Sequence, residues 1–73
     1  MTQTKYRMII EWSDEDSCFV VSLPDFERVT QPVTDGTTYE AAARQGQEAI
    51  ESLVDFYEAE GWTLPVPQTL QVA

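Results

Sequence analysis

The sequence predicts one α+β domain of order β-β-β-α-β: a three-stranded antiparallel sheet plus a short final strand, with one long helix packed on one face. Three observations carry this. Apolar and polar residues alternate over residues 5–12, the period of a half-buried strand. A second apolar run begins at Cys18 and stops at Pro24. From Tyr39 to Glu60 the apolar residues recur at helical spacing, between a threonine-rich start and a glycine.

In the first strand, "KYRMIIEW", Tyr6, Met8, Ile10 and Trp12 share one face, and Lys5, Arg7, Ile9 and Glu11 share the other. "SDEDS" (13–17) is a polar turn with three consecutive acids, so the next strand returns as a hairpin. That strand, 18–23, places Phe19, Val21 and Leu23 on one face. It ends at Leu23-Pro24-Asp25, because proline lacks an N–H and biases the preceding residue away from the helical region. Asp25 reads as a turn residue that satisfies nearby backbone N–H groups and, from an exposed strand end, also reaches a basic partner. "RVTQPV" (28–33) is expected to be a third, weaker strand that Pro32 confines to an edge, a bulge or an early end.

"TDGTT" (34–38) reads as a turn into the helix, with Thr37 or Thr38 as N-cap. The helix is expected over about 39–60, with Gly61 at C′. Its apolar side runs from Tyr39 through Ala42, Ala43, Gly46, Ala49, Ile50, Leu53 and Val54 to Phe56 and Tyr57. Glu40, Glu48, Glu51, Asp55 and Glu58 fall on the opposite side. The small residues near its start permit a close approach to the sheet. "LPVPQ" (64–68) is extended, and "TLQV" (69–72) supplies the expected final strand.

Composition narrows the chemistry. The 73 residues contain no His and a single cysteine, Cys18. Histidine-based acid–base catalysis and zinc sites are thereby excluded within one chain, as is an internal disulfide, and a free thiol fits a reducing, cytoplasmic setting. No apolar run approaches the roughly 20 residues that cross a bilayer. Neither a nucleophile motif nor a phosphate-binding glycine loop is present. Glu11, Asp25 and Glu48 are carboxylates that would have to converge to hold Mg²⁺, although Glu48 belongs to the outward face of the helix. The expectation is a non-enzyme without cofactor or metal.

Charge is the strongest compositional signal: 13 acidic residues face four basic ones, for a net −9. Such a surface repels phosphates, which argues against direct nucleic-acid binding, and attracts a basic partner. A domain this small buries only roughly 60% of its unfolded surface, so a homo-oligomer, dimer or tetramer, is expected. Phe56, Tyr57 and Trp62 are the candidate contacts: Phe56 and Tyr57 widen the apolar stripe beyond what a three-stranded sheet needs, and Trp62, just past the helix, either caps the bottom of the core or anchors a subunit contact.

Five segments in order resemble the N-terminal domain of the HicB family of antitoxins. They are "YRMIIEWSDED", "CFVVSLPDF", "VTQ" at 29–31, "DGTTYEAAARQGQEAIESL" and "EGWTLPVPQ". The resemblance covers nearly the whole chain. It implies a partial ribonuclease-H-like fold without ribonuclease activity, and a partner of HicA type, a small basic mRNA-cleaving toxin. The DNA-binding domain that follows in many members has no counterpart in residues 1–73, so a single stand-alone domain is expected. If such a toxin is the partner, acidic side chains should meet its basic RNA surface. The candidates are Asp14, Glu15 and Asp16 in the hairpin turn and Asp25 and Glu27 after the second strand, the latter end being favoured because Pro24 fixes its backbone. The alternative is an orphan oligomeric binding or regulatory module with no toxin. A metal-dependent nuclease is a third reading.

Overall fold

A computed structural model describes residues 5–70. It contains three strands, β1 (Ile9–Ser13), β2 (Cys18–Ser22) and β3 (Thr34–Gly36), followed by one helix, α1 (Tyr39–Glu60). The strands form an antiparallel sheet in the order β1-β2-β3. This is the expected α+β arrangement. The final strand at 69–72 is not formed at Thr69 or Leu70, and its remaining residues lie outside those described.

The two faces of the sheet follow from the side-chain alternation. Ile10 pairs with Val21, and Trp12 with Phe19. Those side chains, with Met8 and Leu23, turn toward α1. Ile9, Glu11, Val20 and Asp35 occupy the outer face. The core comprises Val21, Leu23, Phe26, Ala42, Ile50 and Tyr57, with Met8, Ile10 and Leu53 among the half-buried residues packed on it. The helix lies chiefly over β3 and β2 and touches β1 least.

Both ends of α1 are set by local chemistry. Thr38 has extended backbone angles, and its Oγ1 accepts from the Ala41 N–H at 3.0 Å, which satisfies one donor of the first turn. Gly61, at φ 70°, closes the other end, its N–H donating to the Glu58 carbonyl, while the Trp62 N–H donates to that of Tyr57. The helix bounds thus agree with the expectation. The acids Glu48, Glu51, Asp55 and Glu58 are exposed, as the wheel requires. Tyr39 and Phe56 depart from it: they flank the buried stripe and are 64% and 50% exposed.

The third strand is a correction. It forms at 34–36, inside the segment read as a turn, and not at 28–33. The register that pairs Val21 with Thr34 would bring Leu23 opposite Pro32, which has no N–H to donate. The ladder therefore cannot extend backward through 32. The Gln31 side chain takes over: its Oε1 accepts from the Leu23 N–H at 2.7 Å, and its Nε2 donates to the Leu23 carbonyl at 2.9 Å and that of Phe26 at 3.2 Å.

Candidate interaction surface

The end of β2 explains the position of Asp25. The β1–β2 register pairs Ile9 with Ser22, so two residues further on Arg7 stands opposite Pro24. The ladder stops there for want of a proline N–H. The Asp25 carboxylate fills the gap. Its Oδ2 accepts from the Arg7 backbone N–H at 2.9 Å, and its Oδ1 accepts from Arg7 Nε at 3.1 Å and Nη2 at 2.9 Å. The carboxylate side chain is fully buried, while that of Arg7 stays 51% exposed. Burial pushes the Asp25 carboxyl up, but the Arg7 backbone N–H, the Arg7 guanidinium and the Gln68 backbone N–H outweigh it and hold the group below its ordinary value.

This corrects the expectation of an exposed Asp25. Its carboxylate is turned inward to this chain's own arginine, under the segment 64–68. That segment is fixed by Tyr6, whose hydroxyl donates to the Pro65 carbonyl at 2.8 Å. Beside it opens a cleft of ≈ 320 Å³ lined by Arg7, Pro24, Asp25, Glu27, Pro65, Val66 and Gln68. Of the two acids expected at this end, Glu27 alone is exposed.

At the opposite end of β2, Asp14, Glu15 and Asp16 are all exposed in the hairpin turn. Two of them are held in place. Trp12 Nε1 donates to Asp14 Oδ1 at 2.8 Å, and Ser13 Oγ donates to Asp16 Oδ2 at 3.0 Å. The turn closes through the Ser17 N–H to the Ser13 carbonyl, with Ser17 at φ 54°. The hairpin acids and Glu27 therefore do not form one patch, and the helix acids form a third.

The aromatic candidates separate as well. Tyr57 is 3% exposed and belongs to the core, packed edge-on against Phe26, which corrects its assignment to a contact surface. Trp62 closes the bottom of that core against Tyr57 and Phe56, with the Arg28 guanidinium 4.2 Å above its ring. Phe56 and Trp62 keep part of their surface in solvent. Arg7, Gln31 and Arg28 were not singled out from the sequence; the prolines at 24 and 32, each of which removes a ladder donor, were the signal for the first two.

Glu11, Asp25 and Glu48 lie apart, on the outer sheet face, beneath segment 64–68 and on the solvent side of α1. Among the described residues no group of three or more His, Cys, Asp or Glu side chains is placed to hold a metal ion. The Cys18 thiol is pushed up by desolvation and then by the charges of Asp35 and Asp16, which keeps it protonated and a poor nucleophile. Among the described residues no helix is long and apolar enough to cross a membrane. Comparison with known families, curated proteins and solved structures gives no match.

Proposed function

We propose that this chain is a HicB-like antitoxin that acts in the cytoplasm by binding and masking a small basic mRNA-cleaving toxin of HicA type. The observation that carries the reading is the unequal use of charge. Three of the four cations are engaged within the chain: Arg7 by Asp25, Arg44 by Glu40 and Arg28 by Trp62. The hairpin acids Asp14, Glu15 and Asp16 and the helix acids Glu48, Glu51, Asp55 and Glu58 face solvent, and among the described residues no such cation pairs with them. A protein of this kind competes for a groove built to hold phosphates. The ordered resemblance supplies the identity of that groove.

Within this reading the hairpin tip is the preferred contact, since the Asp25 carboxylate is committed inward. Asp14 and Asp16 are already held by Trp12 and Ser13, which lowers the cost of ordering them on binding. The test is association with a HicA-type toxin at low salt, together with rescue of growth. Asp14→Lys with Asp16→Lys should slow association by about tenfold or more, because exposed charges act mainly on encounter. Glu48→Lys with Glu51→Lys should do less. A larger effect of the helix pair would move the contact to α1. If neither pair matters and no basic partner is retained, the orphan oligomeric module replaces the antitoxin. The exposed apolar side chains Ile9, Trp12 and Phe56 favour that second reading.

A further inference from the structure

We infer that the outer edge of β1 is the self-association surface of this protein, and that its occupant is β1 of a second copy, paired antiparallel about a two-fold axis at Ile9. The inference does not depend on the antitoxin reading. β1 is a terminal strand of the sheet, and no described strand lies beyond it. The Arg7 N–H points toward the end of β2, to Asp25. Alternation along an antiparallel strand then turns the N–H and C=O groups of Ile9, Glu11 and Ser13 toward β2 and those of Met8, Ile10 and Trp12 outward. Among the described residues no strand pairs with these outward groups, and an unpaired edge is a template for another strand.

Apolar surface flanks this edge on both faces. Ile9 is 45% exposed on the outer face, and Trp12 is 52% exposed on the helix side, where α1 leaves β1 poorly covered. The sequence of the strand is complementary to itself. With the axis at Ile9, Arg7 lies opposite the second copy's Glu11, and Glu11 opposite its Arg7, so two ion pairs form by symmetry on the outer face. On the helix side Met8 meets Ile10, and Tyr6 meets Trp12. The neighbouring register, with the axis at Ile10, sets Ile9 against Glu11 and forfeits both ion pairs. Arg7 is able to serve both partners: its bonds to Asp25 use Nε and Nη2, and half of its side chain remains in solvent. The occupant is fixed by this charge and side-chain match.

The test uses the full chain with Cys18→Ser. Ile9→Cys in that background should give a covalent dimer as the main product of mild oxidation, because residues on the axis of a non-hydrogen-bonded pair are about 4.5 Å apart at Cα, within reach of a disulfide. Phe56→Cys, on the exposed aromatic patch, should remain largely uncrosslinked. In sedimentation equilibrium the parent should be a dimer at about 100 μM, and Glu11→Arg should raise its dissociation constant about tenfold or more. Ile9 and Glu11 are outside the core, and circular dichroism checks that each variant is folded. A monomeric parent at that concentration overturns the inference. So does a dimer that crosslinks through Phe56→Cys and not Ile9→Cys, or one indifferent to Glu11→Arg.

Discussion

A buried carboxylate with three donors from one arginine is a stability element with a definite pH signature. The Asp25 carboxyl is held below its ordinary value of 3.8, so its contribution is fully present above that value and is lost as pH falls through the depressed folded value. Asp25→Asn replaces one acceptor oxygen by an NH₂ that faces the Arg7 donors. The expected loss is about 1–3 kcal/mol at neutral pH, kept toward the lower end because Arg7 can rehydrate. Urea midpoints at about pH 7 and about pH 3 check it: the gap between the two proteins should be clear at the first and shrink at the second. Equal midpoints at neutral pH would show that the buried pair contributes nothing. Gln31 occupies the equivalent place on the other side of β2. Gln31→Glu keeps an acceptor for the Leu23 N–H but loses the donor to the Leu23 and Phe26 carbonyls, at a cost of about 1 kcal/mol, read from the same urea midpoints.

The close contact of α1 with the sheet is made at two glycines that tolerate a side chain unequally. A Cβ on Gly36 would run into the backbone nitrogen of Ala42, so β3 and the start of α1 would have to part. A Cβ on Gly46 would meet the Met8 sulfur at 2.7 Å, and that flexible side chain can swing aside. Gly36→Ala should therefore cost about 2–3 kcal/mol, and Gly46→Ala under about 1 kcal/mol, helped by the better helix propensity of alanine. Thermal unfolding of the two variants checks the order, and a reversed order would mean that the backbone contact at Gly36 relaxes freely. The helix was legible because its signals are local: Thr38 and Gly61 at its ends, small residues on one face and acids on the other. β3 was not. "TDG" carries turn residues in a strand of three, held by pairing with β2 and by the contact at Gly36. "RVTQPV" carries strand residues where Pro32 prevents pairing. Asp25 was placed correctly at a strand end, but its burial depended on Arg7, 18 residues away, which no local pattern reveals.

Across the whole molecule, the same net charge of −9 acts on stability and on association with opposite sign. The exposed acids of α1 share one side of a single helix, with Arg44 paired to Glu40 near its start and no basic residue in the last turn, where the helix dipole disfavours Glu58 and Glu60. Their mutual repulsion is present in the folded state and screened by salt. The Arg7–Asp25 pair is shielded on its carboxylate side and loses less to screening. Raising NaCl from about 20 to about 500 mM, which shortens the screening length to a few ångströms, should thus raise the melting temperature. Binding of a basic toxin should weaken over the same range, mainly through a slower association rate. The two salt responses separate the functional readings. An antitoxin that works by charge masking shows both, with opposite signs. An orphan module joined through the β1 edge shows the gain in stability without any salt-sensitive capture of a basic protein. A melting temperature that falls with salt would mean that attractive surface pairs outweigh repulsion, and would remove the unopposed acidic surface on which the proposed function rests.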